Sequence, residues 1–157
     1  MAHKEEISLD RFDRRILQEL QRDATLSNAE LARRVGLSAT PCWNRVKRLQ
    51  ETGITSGTVT LVDREKIGLG ITVFVAIKTN HHSSDWLSAF AEHVSSLPEV
   101  TEFYRMSGEI DYLLKIVAAD IADYDRIYKK LIDGVTISDV SSSFAMEQIK
   151  YTTEVPV

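Results

Sequence analysis

Between Leu31 and Gln50 the chain carries five bases, Arg33, Arg34, Arg45, Lys47 and Arg48, and no acid. Among and beside them stand Ser38, Thr40, Pro41, Trp43 and Asn44. Hydroxyl and amide groups can hydrogen-bond base edges, while Lys and Arg neutralise phosphates. That combination is the chemistry of a reader of double-stranded DNA; the plain alternative is a solvated helix face. A second candidate is the run Gly108-Glu109-Ile110-Asp111, a glycine turn with backbone amides beside a carboxylate. Amides suit a carboxylate and Asp111 suits an ammonium, so such a tip could hold a zwitterion. The plain alternative is a turn whose Asp111 satisfies backbone donors. For catalysis the pickings are thin. His81-His82 are adjacent and cannot easily share one metal, Cys42 has no second thiol, and neither a phosphate-cradling glycine loop nor a Ser/His/Asp set stands in the chain. No catalytic residue, metal or cofactor is expected.

Three helices must position the first candidate. Leu9, Phe12, Ile16, Leu17 and Leu20 recur at helical spacing, with Ser8 placed to cap them. Ser27-Asn28-Ala29-Glu30 reads as a capping box, and Gly36 as the left-handed exit of the helix it opens. Ser38 is placed to cap a third helix running to about Glu51, with Pro41 in its first turn, where the missing N–H breaks no bond. On a wheel at ~100° per residue, Cys42, Val46 and Leu49 face a core and Thr40, Asn44 and Lys47 point away. Pro41, Trp43 and Arg48 stand on the shoulders and Arg45 flanks the apolar arc. Helix, glycine turn, base-bearing helix is the helix-turn-helix arrangement, and the small Ala32 lets the pair approach closely.

The second half positions the other candidate. Val73, Val75 and Ile77 alternate as a strand, and Trp86, Leu87, Phe90, Val94 and Leu97 make a helix stripe ended by Pro98. Residues 99–106 and 110–118 form a hairpin through Ser107-Gly108-Glu109. Ile121, Tyr124, Ile127, Tyr128 and Leu131 make a second stripe, and residues 135–150 contain a last strand. The order β-α-β-β-α-β predicts an α+β chain whose second domain is a ferredoxin-like sheet with both helices on one face. Its other face needs cover from another subunit.

Length and charge agree with two small domains. The 157 residues are 43% hydrophobic and 27% charged, which excludes disorder and a disulfide scaffold. Net charge is −4 overall, but +2 over residues 1–55 and −6 over residues 56–157. A lone cysteine fits a reducing cytosol, no apolar run approaches the ~18 residues of a membrane helix, and Met1–Glu6 open no signal-like stretch. A cytoplasmic protein that avoids membranes is expected. The domains read as 1–60, a charged, glycine-punctuated link at 61–71, and 72–157.

From Leu9 to Val157 the chain resembles the leucine- and asparagine-responsive (Lrp/AsnC, or feast/famine) transcription regulators. The resemblance rests on Leu9-Asp10, Asp13, Ile16-Leu17, Glu30-Leu31-Ala32, the run Val35–Leu49, Gly53, Gly108–Leu114 and Ile149–Val157. Thr55 and Thr58 depart from the Ile and Tyr common there. The resemblance implies a winged helix-turn-helix domain reading DNA through Ser38, Thr40, Pro41, Trp43, Asn44, Arg45, Lys47 and Arg48. It implies an amino-acid effector held between dimers by Met106, Gly108, Glu109, Asp111, Tyr112, Ser141, Ser142 and Ser143, within the stretch 137–143. It also implies homo-oligomers, dimers and octamers. Two alternatives on a similar fold are a tetrapyrrole decarboxylase-like enzyme, which needs no base-rich third helix, and a non-DNA-binding adaptor.

Overall fold

The structure, a computed structural model, describes residues 8–81 and 83–157; residues 1–7, with the Met1–Glu6 stretch, and His82 lie outside the described residues. The chain divides into two compact units, the described residues up to Leu61 with Lys150–Val157, and Val62–Ile149.

The first unit holds α1 (Arg11–Arg22), α2 (Asn28–Val35) and α3 (Ala39–Glu51). Asp10, not Ser8, caps α1. Its carboxylate accepts from the N–H groups of Phe12 at 2.8 Å and Asp13 at 3.0 Å, and the Asp13 carboxylate accepts from the Asp10 N–H at 3.0 Å. Two acids three residues apart satisfy donors at both ends of the first turn, which Ser8, two residues too early, cannot reach. The N–H of Asp13, then the Arg45 guanidinium, lowers the Asp10 carboxyl to about 2. Because the folded value lies below the unfolded one near ~3.9, this cap is fully stabilising above about pH 4 and is lost as pH falls through about 2. Melting curves of Asp10→Asn and the parent should therefore converge across that window and differ above it. Curves separated by a constant interval from pH 6 to 2 would remove the cap from acid stability.

α2 starts as expected at Ser27, whose hydroxyl accepts from the Glu30 N–H at 3.2 Å. The return half of the box is missing, because the Glu30 carboxylate binds Arg33 and Arg34 instead. Gly36 closes α2 at φ 77°, the left-handed exit expected of it. Ser38 stands at the start of α3 but makes no side-chain cap bond; the Asn28 amide reaches across to the Ala39 carbonyl at 2.8 Å. Ile16, Val35, Cys42 and Leu49, all essentially buried, form the core with Leu17, Leu31 and Ala32. Burial pushes the Cys42 thiol up, so it packs as a small apolar group.

Two expectations for this unit change. Among the described residues the stretch 55–63, where a wing would follow α3, carries no strand. Thr55 is half-buried there with its hydroxyl unpartnered, where a branched apolar side chain would leave nothing unsatisfied. Secondly, residues 150–157, read with the second domain along the sequence, group in space with the first unit. The cause is side-chain hydrogen bonding to α1, taken up below.

The second unit follows the predicted order: β1 (Ile71–Lys78), α4 (Ser84–Ser95), β2 (Val100–Arg105), β3 (Tyr112–Ala118), α5 (Ile121–Ile132) and β4 (Asp139–Phe144). The sheet is antiparallel in the order β2-β3-β1-β4, the ferredoxin-like arrangement. Period-two alternation sends Val73, Val75, Ile77, Leu114 and Ile116 towards the helices, where Phe90, Val94, Ile127 and Leu131 cover them. Ile121, counted in the α5 stripe, is exposed because it is the helix's first residue. On the other face Phe74 and Tyr104 remain exposed, beside Glu102, whose carboxylate takes the Lys115 ammonium at 2.7 Å. No helix of the described residues is long and apolar enough to cross a membrane.

Candidate nucleic-acid interface and hairpin-tip site

α3 is held by acids from far upstream. Asp13, 1% exposed, accepts from Arg45 at 2.9 Å through one oxygen and from Arg48 through the other. Arg45 also reaches Asp10 at 2.7 Å, and its guanidinium lies 5.4 Å from the Phe12 ring centre. Two of the other three bases of the stripe are likewise engaged: Arg33 and Arg34 share Glu30, and Arg34 adds Glu19 at 3.2 Å. Only Lys47 keeps a loose pairing, 3.6 Å from the solvated Glu51. Most of the basic stripe is therefore scaffolding.

What α3 offers to solvent is the rest of the predicted set. Ser38, Thr40, Pro41, Asn44 and Lys47 are exposed, and Trp43 is 54% exposed rather than packed on α1. An uncapped Ser38 hydroxyl and an uncovered indole next to Asn44 leave one helix face with donors, acceptors, an aromatic plane and one loosely paired cation. Asp13 was legible only as part of an Asp10-x-x-Asp13 spacing; nothing local in the sequence ties it to Arg45 and Arg48, 32 and 35 residues away.

At the hairpin tip Gly108 has φ 129°, a conformation that a side chain would strain. The N–H groups of residues 107–110 make no hydrogen bond to any described residue, whereas Met106 donates to the Asp111 carbonyl at 2.8 Å. The Asp111 carboxylate accepts from the Thr79 N–H at 2.8 Å through one oxygen, so it does serve a backbone donor and keeps one oxygen over. Thr79, just past β1 and 4% exposed, is a member of this corner that sequence reasoning missed. The residue type carries no signal for it.

Not every predicted member converges here. Tyr112 is 4% exposed and lies among Trp86, Phe90 and Phe103; it is core, because its strand position faces the helices. β1 separates β3 from β4, and the register pairs Ile77 with both Tyr112 and Val140. The start of β4 thus lies beside the end of β1, where Ser138 donates to the Lys78 carbonyl at 2.9 Å. The three serines then run away from that corner at ~3.3 Å per residue, Ser143 opposite Phe74. Alternation also divides them. Ser142 turns inward to the Tyr124 hydroxyl and lines a separate cavity of about 260 Å³ with Ile121, Tyr128 and Val140, while Ser141 and Ser143 are exposed. Met106, Gly108, Glu109 and Asp111 stay together at the tip.

Comparison with known proteins follows this division. Residues 9–50 match the AsnC-type helix-turn-helix domain, and residues 72–155 match the Lrp/AsnC ligand binding domain. Over 150 residues, covering 95% of this chain and 99% of the relative, it is 55% identical to the DNA-binding transcriptional activator DecR of Escherichia coli (strain K12). The crystal structure of an AsnC family transcriptional regulator from Agrobacterium tumefaciens superposes with TM-score 0.92 at 56% identity, covering 94% of this chain and 97% of that one. A transcriptional regulator from Neisseria meningitidis in complex with L-Met superposes with TM-score 0.89 at 35% identity, covering 95% and 97%.

Proposed function

This chain belongs to the Lrp/AsnC family of transcriptional regulators, and we propose that it reads DNA through the exposed face of α3 under the control of an amino acid bound at the hairpin-tip corner. It is a DNA-binding transcriptional regulator. The observation that carries the assignment of residues is the partition of α3: Arg45 and Arg48 are tied to Asp13, leaving Thr40, Trp43, Asn44 and Lys47 outward. Ser38 and Pro41 border that face; Arg45 and Arg48 act as struts that hold it at a set angle. Two such faces in a dimer would meet successive major grooves ~34–36 Å apart on an imperfect palindrome. The exposed sheet face, with Phe74 and Tyr104 around a Glu102–Lys115 pair, supports self-association, since the two aromatic side chains find no cover among the described residues. Dimers are the first step of that assembly, and octamers the closed form proposed beyond it.

The effector reading takes support from the Neisseria meningitidis relative with bound L-Met and from the free amides at Gly108. Those amides suit the ligand's carboxylate and the unused oxygen of Asp111 its ammonium, since each charge must find a partner when it leaves water. Ser141 and Ser143, on the open sheet face, would reach such a ligand from a neighbouring dimer; Tyr112 supports the corner from within, while Ser142 belongs to the separate cavity at Tyr124. Thermal melting with each of the twenty amino acids tests this. At ~100 times its dissociation constant, a ligand of the folded state alone adds ~2.7 kcal/mol. Asp111→Asn keeps an oxygen for the Thr79 N–H and removes the charge, so it should cut the affinity of the stabilising amino acid about tenfold or more and leave DNA binding without it intact. Unchanged affinity in a folded Asp111→Asn protein, measured by calorimetric titration, would reduce Asp111 to a turn residue.

A further inference from the structure

The chain's last residues are bound by α1 as a peptide is bound by a receptor. The Gln21 side-chain amide grips the backbone of Val155 at both of its hydrogen-bonding groups: its oxygen accepts from the Val155 N–H at 2.7 Å, and its nitrogen donates to the Val155 carbonyl at 3.1 Å. One turn earlier the Gln18 amide donates to the Val157 carbonyl at 3.3 Å, and Val157 packs against the core of the first unit. Glu154 lies 3.6 Å from the Arg22 guanidinium. A two-point grip by one amide side chain reproduces the pairing of a β-ladder and fixes both the register and the direction of the segment. In the same helix Asp13 and the preceding cap Asp10 hold Arg45 and Arg48 of α3. One helix therefore seats the DNA-reading helix with its first turn and the end of the chain with its last two.

We infer that residues 154–157 are a return strap: they carry the chain back from β4 onto α1, so that the first unit is tied to the second by two covalent crossings, near Leu61 and near Lys150, instead of one. The segment between Phe144 and the grip is exposed, with Met146 and Ile149 open to solvent, so the grip itself is what retains it. A unit held by two crossings has fewer orientations to lose when it docks on DNA than a unit on one tether, and releasing the strap should weaken binding without touching α3. This step rests on the DNA-reading assignment proposed above; the docking of the strap does not.

Hydrogen exchange on the full-length protein decides both parts. Gln21→Ala keeps a strong helix former in α1 and removes both bonds to Val155; exchange of the Val155 amide should quicken about tenfold or more at unchanged melting temperature. Gln21→Glu retains the acceptor but not the donor and should fall between parent and alanine variant. With the strap released, the dissociation constant for duplex DNA should rise about threefold or more. Unchanged exchange at Val155 in Gln21→Ala overturns the docking, and quickened exchange with unchanged DNA affinity overturns the coupling. Protection that disappears on dilution assigns the bound segment to a second copy and overturns the return within one chain. Lys47→Ala serves as the control. It should lose DNA affinity with the Val155 amide still protected, and if the parent protein binds no DNA at all, the failure belongs to the DNA-reading assignment while exchange still reports the strap.

Discussion

Replacing Asp13 with alanine should destabilise the first unit by about 3 kcal/mol and abolish measurable DNA binding. The carboxylate is 1% exposed and has three partners, the Asp10 N–H and the guanidinium groups of Arg45 and Arg48. Breaking a buried ion pair costs ~3–5 kcal/mol when the remaining charge stays buried, and losing a helix cap costs ~1 kcal/mol. The guanidiniums left behind are 28% and 47% exposed and Arg45 keeps Asp10, so the total falls near the lower bound. A small domain's whole stability is ~5–15 kcal/mol, so the loss should be plain as a lowered urea midpoint at unchanged slope. Asp13→Asn keeps one acceptor and should lose about half as much. DNA binding should fail beyond the stability loss, because α3 no longer has struts setting its angle. An alanine variant as stable as the parent would show that the network is decoration on a helix seated by Cys42 and Leu49.

The second large effect separates specificity from affinity on α3. Asn44→Ala should weaken a preferred site by ~1–3 kcal/mol, about five- to 150-fold, and leave random duplex almost unchanged, because a side-chain amide recognises a base edge. Lys47→Ala should weaken both DNAs alike and reduce the slope of log affinity against log salt by about one, the signature of one phosphate contact fewer. The contrast follows from their surroundings: both are exposed, but Lys47 is the base of the stripe without a firm internal partner. Equal losses on both DNAs for Asn44→Ala would remove it from base reading. Binding that ignores salt altogether would sink phosphate recognition by this helix.

The same stripe shows how far a sequence can be read. Its absence of acids between Leu31 and Gln50 suggests five free cations, yet four are firmly paired and Lys47 loosely. Their partners Glu19, Asp13 and Asp10 come from α1, which only folding brings alongside, while Glu30 sits one residue outside the window. A local charge count cannot include acids that arrive through space. Trp43 shows the reverse: its place on the wheel's shoulder does not say whether it packs or is exposed, and the structure leaves it in solvent while Cys42 and Val46 make the contact with the core.

Local physics is what the sequence by itself determined. Helical spacing of Ile16, Leu17 and Leu20, the exit at Gly36, Pro41 in a first turn and the alternation of Val73, Val75 and Ile77 each depend on neighbours within a few residues, and each element formed where expected. The order of those elements was enough for the antiparallel sheet, since few topologies accommodate β-α-β-β-α-β. Tertiary structure alone decided which equally polar or aromatic side chains face each other. It turned Tyr112 into core, divided Ser141, Ser142 and Ser143 between two faces, brought Thr79 to Asp111 and carried Val155 back 134 residues to Gln21. Hydrogen bonds and ion pairs are short-ranged and directional, so their partners are chosen by positions in space; spacing along the chain fixes only the periodic faces that bring those positions together.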